Sequence, residues 1–581
     1  MKKMLIIAAA AALLPRIAAA QVEKQVEVTK AYVPKVESAS KLAIEPDMTD
    51  TTQIRPEIDY TITPLTLQTT LTTRPIRPAT VTYWEFNRPL PCYVKVGAGY
   101  PLNSVLDFYA STQNPSTGYA IGYINHEGYY AKIANEAGVK NNSTRMYNRA
   151  GIAAGKYFGR HVFEGEVSYD NRMYHRYGSY TTVPDPTEEL LAQLGAGAMN
   201  DYGDAALKLR VGDDFQDLSR VNFEVALHGN YFLDHSEWPD TGEKTRQLNL
   251  GADARIAKGF GRNSFSLGLG YDLFSGQEWL SGYNQQMIRA ALRYRYAGGV
   301  VDLEVGADYY HDRIETPAEP EALSVTGDYL LPFARLDFNL GTPGLKPFIE
   351  ADGSVAPNDF RSMTALNPYA PAGPWLDKSS VDYNFRIGLG GSLWHNRFSY
   401  RAYAGISIQD NHLFWATTLD RSGSVGEYET FASTFILQQA RQTVTSFNGE
   451  IEYRPISSLR FDLGIHGYFY NKETEWANGE ASFKGNFGAA YSGRRISFGV
   501  EALLLGERSW TTFAGLYGGN QPLSDFVAPF AVDLRAHFDW RISHRVTFFV
   551  EGRNLANQRL YEYARYREPG IHFLAGIKAN F

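Results

Sequence analysis

Alternation of apolar and polar residues over about a dozen positions is the feature that most constrains this fold. From Phe530 to Arg541 every second residue is apolar, and most residues between them are charged or polar. Residues 221–228, 459–469 and 571–581 repeat the pattern. A β-strand has a side-chain period of two, so each segment predicts a strand with one apolar and one polar face. Strands of soluble sheets are usually about 5–6 residues long, whereas a tilted membrane-crossing strand needs about 9–11. We therefore expect membrane-spanning strands.

The composition of the chain is consistent with this interpretation. Among its 581 residues are 53 Gly and 38 Tyr, and its mean hydropathy is −0.32. After the N-terminus no apolar run reaches the ~20 residues of a spanning helix. In a transmembrane β-barrel only alternate residues face lipid, and aromatic residues collect at both membrane interfaces. A formal charge of −7 argues against a nucleic-acid partner, and the single cysteine, Cys92, excludes an intramolecular disulfide framework.

The connections between the alternating segments also alternate in length. Short turns recur, such as Gly259-Phe260-Gly261-Arg262 and Ser492-Gly493-Arg494. Between them fall long polar loops, near residues 128–143, 178–199, 314–325, 355–378, 418–433, 508–527 and 557–569. Short turns at one end and long loops at the other are typical of outer-membrane barrels. The predicted fold class is all-β: an integral outer-membrane antiparallel β-barrel of about 22 strands, with a short irregular N-terminal arm.

The N-terminal region divides into two predicted parts. Residues 1–20 have a basic start, a short apolar run and the small-residue site Ala18-Ala19-Ala20, which together predict a signal peptide. Residues 21–91 are rich in Pro and Thr, a composition that disfavours long helices and central strands. We expect an N-terminal periplasmic or lumenal arm over 21–91 and the transmembrane barrel over 92–581.

The sequence resembles the TonB-dependent receptor family of outer-membrane barrels, most clearly at its C-terminus. The residues that carry the likeness are Asn554-Leu555, Tyr561, Pro569-Gly570, Phe573, Gly576 and the terminal Phe581. Val26, Glu27, Val28 and Thr29 resemble the family's energy-coupling segment. The abundance of Tyr and Asn resembles that of Bacteroidota proteins. Family members carry a folded plug in the barrel, and the resemblance places the short 21–91 arm where that plug would be.

Two sets of residues are candidates for functional roles. The first consists of polar residues on the predicted lumenal strand faces: Asp533, Arg535, His537, Asp539, Asp302, Glu304 and His466. Their mixed signs indicate internal ion pairs rather than an ion-selective ring. The second consists of aromatic loop residues that could bind a ligand or a surface lipoprotein: Trp375, Trp415, Trp476, Trp510, Phe513 and Tyr517. An interfacial aromatic belt is the alternative for this second set.

Three functions are compatible with the sequence. The first is an outer-membrane receptor or transport barrel without a conventional plug, as the resemblance implies. The second is a structural scaffold subunit of an outer-membrane protein insertion or export complex, and the third is an outer-membrane hydrolase. We expect no catalytic, cofactor or metal residues, because no nucleophile elbow or His-x-His pair occurs on a marked strand. The expected partners are outer-membrane lipids, a surface lipoprotein or other outer-membrane protein, and TonB. The expected location is the outer membrane of a Gram-negative cell.

Overall fold

A closed antiparallel β-barrel of 22 strands forms the described part of the chain. The computed structural model describes residues 90–112, 117–134, 140–178, 180–181, 183, 187, 189–190, 199–236, 244–317, 323–369, 378–425, 428–514 and 525–581. The predicted signal peptide, most of the 21–91 arm and the coupling segment Val26–Thr29 lie outside these residues. The predicted fold class and strand number are confirmed.

The barrel strands follow one another in chain order around the wall. They are β1 (Cys92–Tyr100), β2 (Asn103–Ser111), β3 (Gly118–Tyr129), β4 (Arg145–Phe158), β5 (His161–His175), β6 (Met199–Gly212), β7 (Asn222–Asp234), β8 (Thr245–Phe260), β9 (Asn263–Glu278), β10 (Asn284–Ala297), β11 (Val301–Thr316), β12 (Leu323–Phe338), β13 (Lys346–Ala356), β14 (Ser380–Leu393), β15 (Phe398–Val425), β16 (Phe435–Ile456), β17 (Leu459–Lys472), β18 (Phe483–Ser492), β19 (Ile496–Leu505), β20 (Ala531–Arg541), β21 (Val546–Arg553) and β22 (His572–Asn580).

Shorter elements lie in the connections. Three short strands join the barrel sheet: Tyr180–Thr181, Tyr428–Ala432 and Thr512–Ala514. The remaining short strands form separate small pairs: Lys132–Ala134, Lys140–Asn142, Arg508–Trp510, Phe526–Ala528, Tyr561–Tyr563 and Tyr566–Arg567. One helix, α1 (Phe360–Leu366), lies between β13 and β14. Within the described ranges, no helix is long and apolar enough to cross a membrane.

The barrel closes where its first and last strands pair. β1 is hydrogen-bonded to β2 on one side and to β22 on the other. The backbone N–H of Cys92 donates to the carbonyl of Phe581 at 3.0 Å, and the reverse bond has the same length. Phe549 of β21 covers this junction from the polar face, and a Cβ atom at Gly97 would lie 2.8 Å from its ring. Glycine at position 97 therefore lets the ring seal the junction.

The two faces of the strands differ as the alternation predicts. Phe538, Trp540 and Phe573 are exposed on the apolar face, with 48% of Trp540 accessible. Phe461 on the same face is half-buried and stacks on Tyr453 at a centroid distance of 6.4 Å. Apolar side chains exposed around a closed barrel fit a lipid-facing surface, which places the opposite, polar face in the lumen.

β15 explains why the alternation is weak near residue 411. Its pairing with β16 shifts register between Gln409 and His412. Asn411 has a φ of 56°, a left-handed conformation that Asn tolerates better than most residues. A bulge inserts one extra residue, so the residues that face lipid change from one set of alternate positions to the other along the strand. The period-two pattern is therefore interrupted although the strand continues.

The long connections all lie at one end of the barrel, here called the loop end. Residues 130–144, 357–379, 506–530 and 554–571 connect strands there. Opposite ends of the same strands are joined by short turns such as 159–160 and 261–262. The junction of Cys92 with Phe581 lies at the short-turn end. The loop end carries most of the buried apolar core and contains the candidate functional site.

Candidate functional site

The connection between β13 and β14 folds into the loop end of the barrel. Residues 357–369 of this connection contain α1 and are called the inward segment. The Asp359 side chain accepts a hydrogen bond from the Ser362 backbone N–H at 3.3 Å and so caps the helix N-terminus. α1 ends at Leu366, and its C-cap Asn367, whose backbone is extended, precedes Pro368. Phe360 and other buried residues of α1 face the barrel interior.

Polar contacts attach the inward segment to strands far from β13 and β14 in the ring. Asp359 accepts hydrogen bonds from Gln247 and, at 3.3 Å, from Asn249 of β8. The Nε of Arg361 donates to Asp204 of β6 at 2.6 Å. Because β6 and β8 are not neighbours of β13 or β14 in the wall, these contacts span the mouth of the lumen. The inward segment therefore crosses the loop end.

The C-terminal part of the inward segment is held at Pro368. Its carbonyl accepts from Asn200 Nδ2 at 2.6 Å and from the Tyr202 hydroxyl at 3.1 Å. Phe360 also packs edge-on against Phe232 of β7, with ring centroids 5.8 Å apart. Asn200, Tyr202 and Phe232 are almost completely buried. The segment thus covers the β6–β7 part of the polar wall.

Tyrosines join the inward segment to two other connections. Tyr369 stacks on Tyr566 at 3.6 Å and meets Tyr177 and Tyr563 edge-on at 6.1 and 5.5 Å. The Tyr563 hydroxyl donates to the carbonyl of Leu366 at 3.1 Å. Burial raises the pKa of Tyr177, Tyr369 and Tyr563 well above the ordinary value. These phenols therefore stay neutral, and packing and hydrogen bonds of neutral groups hold the cluster together.

The predicted aromatic loop residues occupy another part of this core. Trp415 and Trp510 are only 9% and 4% exposed, so in this conformation they pack the loop end rather than present a surface to a ligand. Trp476 and Phe513 contact each other with ring centroids 5.1 Å apart. The remaining two candidates, Trp375 and Tyr517, lie outside the described residues. A ligand-binding role for this set stays a prediction.

Asn478 links these loops to the wall. Its side chain accepts from the Trp415 backbone N–H at 2.7 Å and donates to the Leu413 carbonyl at 3.1 Å. The strand Thr512–Ala514 pairs in parallel with Thr417–Leu419 of β15. Two more connections are thus attached to the wall at the loop end.

The predicted lumenal polar residues are spread around the wall. Asp533 pairs with Arg535 at 2.6 Å, and Asp539 pairs with Lys578 at 2.7 Å. The Nδ1 of His466 is hydrogen-bonded to Asn448 Oδ1 at 2.6 Å, and this histidine is buried.

The remaining three residues of this set lie beside residues of the adjoining strands or turns. Asp302 accepts from Asn339 at 3.2 Å, and Glu304 lies opposite Arg335 in the strand pairing. His537 lies opposite Gly499. Within this set the structure pairs Asp533 with Arg535, and the other members lie beside residues outside the set. The set therefore does not form one site, and its functional role stays a prediction.

Sequence reasoning missed the polar groups that hold the inward segment. Asp359 and Arg361 lie within a predicted polar loop. Asp204, Gln247 and Asn249 lie on strands, where no local sequence pattern distinguishes them from other polar residues. Asp359 is a residue type that favours a helix N-cap, and this signal could have identified α1. Among the described residues, no group of three or more His, Cys, Asp or Glu side chains is placed to hold a metal ion.

Comparison with known proteins shows a likeness at the level of structure. No protein-family model matches the chain, and no curated protein matches it. The FrpB iron transporter from Neisseria meningitidis (F3-3 variant) has a TM-score of 0.64 at 12% identity, covering 85% of this chain and 82% of that one. The copper transporter OprC has a TM-score of 0.61 at 11% identity, covering 84% and 80%. The ferric-catecholate import receptor Fiu from K12 E. coli has a TM-score of 0.59 at 11% identity, covering 85% and 82%.

These structural neighbours are receptors and transporters, not enzymes. They are TonB-dependent outer-membrane receptors, as the C-terminal resemblance led us to expect. At such low identity the likeness concerns the fold. The chain therefore has the barrel fold of TonB-dependent outer-membrane receptors.

Proposed function

We propose that this chain is an outer-membrane receptor or transport barrel whose loop end opens when a ligand displaces the inward segment. The observation that carries the proposal is the attachment of that segment across the mouth by side chains rather than by a backbone ladder, with polar contacts at Asp359 and Arg361 and ring packing at Phe360 and Tyr369. Such contacts can be exchanged for contacts with a ligand, whereas backbone hydrogen bonds join the strands of the wall. The structural neighbours, which are transport barrels, support the same function.

The energetics of the Arg361 contact suit a closure that can be released. Asp204 is nearly buried, whereas the Arg361 side chain is 37% exposed. Asn230 also donates to Asp204, at 3.2 Å, so the carboxylate keeps a partner when Arg361 leaves. An ion pair with one solvated member is worth about 1 kcal/mol or less, because water screens it. Releasing this contact therefore costs little, and the binding energy of a ligand must mainly offset the exposure of the buried Phe360 and Tyr369.

The N-terminal region completes the proposal. Residues 1–20 direct export, and residues 21–91 take the place of a conventional plug. Val26–Thr29 then offer TonB a contact in the periplasm. The support for these assignments is the signal-peptide pattern and the family resemblance.

Access to a cysteine beneath the inward segment tests the closure. Ala206 lies on the same face of β6 as Asp204, two residues deeper in the wall. In a Cys92→Ser background, Ala206→Cys would be treated with a membrane-impermeant maleimide added to intact cells. We expect slow labelling in the otherwise unchanged chain and severalfold faster labelling when Asp359→Ala and Arg361→Ala are added.

Arg293→Ala is the matched control for this experiment. Arg293 forms a lumenal ion pair with Asp308 of β11 and does not contact the inward segment. This variant should label at the original rate. Equal labelling rates in all three proteins would show that the segment does not close the mouth.

A further inference from the structure

The barrel wall has a seam between β12 and β13. These strands pair only from Ala334, opposite Ala351, to Asp337, opposite Phe348. β11, in contrast, pairs with β12 along its whole length. Among the described residues, 323–333 of β12 therefore have a strand partner on one side alone. Pro332 lies two residues beyond the last pair, and it lacks the N–H that a ladder needs.

The seam reaches into the level of the hydrocarbon. Leu330 and Pro332 lie opposite Tyr309 and Ala307 on the apolar face of β11. Leu330 is 69% exposed there. Two residues further toward the loop end, Asp328 is hydrogen-bonded to His311 at 2.9 Å, and these polar groups mark the outer boundary of the apolar belt. In hydrocarbon each unpaired backbone group costs several kcal/mol, so a seam at this depth is a weak line in the wall.

Apolar side chains close the seam in place of hydrogen bonds. Leu331 is fully buried and packs in a cluster with Met287, Val355 and Val381. A Cβ atom built at Gly353 would lie 3.1 Å from the Leu331 Cβ, so the leucine rests on the glycine of the facing strand. Tyr310, Tyr329 and Tyr383 complete the cluster.

This apolar cluster interrupts a charged wall. On the neighbouring strands β8 to β10, Arg289 is 2.9 Å from both Asp253 and Asp272. An apolar patch continuous with a seam offers a path for a hydrocarbon chain, while the charged wall beside it can hold a polar head.

We infer that the β12–β13 seam is a lateral gate through which an amphiphile with an acyl chain passes between the lumen and the outer leaflet. The inference rests on the proposed transport function and names its substrate class. Leu331 is the gating side chain, since its movement off Gly353 separates strands that no backbone bonds join at this level. Pro332 keeps the ladder from extending and so keeps the gate operable.

A disulfide across the seam tests the gate. In a Cys92→Ser background, Leu331→Cys with Gly353→Cys places two Cβ atoms close to the separation that a disulfide requires. Leu336→Cys with Ile349→Cys is the matched control, because these residues lie directly opposite each other in the paired part of the same two strands. The probe is a lysophospholipid with a diazirine in its acyl chain, photolysed in proteoliposomes, and mass spectrometry locates the adducts.

The gate predicts adducts on the lumenal side, at Met287, that fall severalfold in the oxidised seam variant and return on reduction. The oxidised control should keep the Met287 adducts. Both the seam variant and the control should keep adducts at the lipid-facing Leu330. Pro332→Val restores the missing N–H and should lower the Met287 adducts without any disulfide, so the test does not depend on one variant folding.

Three results would overturn the inference. Adducts confined to Leu330 and other lipid-facing residues would show that no acyl chain enters. Adducts at Met287 that persist in the oxidised seam variant would show entry by another route. Cross-linking of Leu330 to another protein in native membranes, without Met287 adducts, would mean that a partner strand covers the seam. None of these results changes the expected labelling of Ala206→Cys, so the gate can fail while the proposed function stands.

Discussion

Replacing Phe549 by Ala should destabilise the barrel far more than the same change at its neighbour Phe548. Phe549 is 0% exposed and lies over the junction of β1, β21 and β22. Removing a buried phenylalanine typically costs about 3–5 kcal/mol. The glycines beneath the ring, Gly97 and Gly576, have no side chains with which to fill the cavity. We therefore expect the upper half of that range, about 4–5 kcal/mol.

Two cations add to the loss. The Nζ atoms of Lys95 and Lys578 lie 4.6 and 5.1 Å from the centroid of the Phe549 ring. Such a contact contributes about 0.5–1 kcal/mol for a solvated cation, as Lys578 partly is, and about 2 kcal/mol for a desolvated one such as the buried Lys95. Lys95 also pairs with Glu551 at 2.9 Å, and Lys578 with Asp539 at 2.7 Å, so neither cation is left unpaired by the substitution. The cavity term therefore dominates.

Phe548→Ala is the matched control. Phe548 lies on the apolar face, opposite Trp540 and Ile577 in the pairing. Lipid chains can fill the space that its ring leaves, so only the cross-strand contacts are lost, about 0.2–1 kcal/mol. The assay is urea-induced unfolding in phospholipid vesicles, followed by tryptophan fluorescence and by the gel shift of the folded barrel. A cost for Phe548→Ala equal to or above that for Phe549→Ala would refute the assignment of the two faces.

Three further predictions follow from the same structure. Phe538→Arg puts a charge on the lipid face and should cost about 2–4 kcal/mol in the same unfolding assay if the site lies near the midplane, whereas Phe538→Leu should cost much less. Gly97→Val should prevent closure of the barrel, because its Cβ alone would lie 2.8 Å from the Phe549 ring, and the variant should lose the gel shift. Burial raises the pKa of Tyr369 above its value in the detached segment. The tyrosine cluster therefore stabilises closure below about pH 10 and loses this contribution as the pH rises further. Labelling of Ala206→Cys, corrected for the pH dependence of the thiol's own reaction rate, should accelerate over that range.

The barrel could be predicted from the sequence because its physics is local and repeated. Apolar and polar residues alternate without a break along Ala531–Arg541. In each such strand this alternation indicates which face meets hydrocarbon. Turn residues such as Gly159 and Gly261, both with positive φ, mark the ends of the strands. The number of strands and their order around the wall follow from these signals and from the requirement that the barrel be closed.

The closure of the loop end could not be predicted, because it depends on contacts between residues far apart in sequence. Arg361 and Asp204 are separated by 157 positions, and neither carries a local mark of its partner. Trp415 and Trp510 could equally have been exposed in loops or at an interface, and only the packing of several connections buries them. Sequence reasoning did not single out Pro332, and the partner strand that it fails to pair with is known only from the sheet order.

Native mass spectrometry of the full chain, extracted from its own outer membrane in mild detergent, tests the central claim most directly. A receptor or transport barrel predicts a particle containing this chain without a stoichiometric set of other outer-membrane proteins, and with small-molecule ligand or lipid that is lost on mild activation. A stable particle in which several outer-membrane proteins accompany the chain at fixed ratio, with no small ligand, would contradict the claim and identify the barrel as a scaffold subunit.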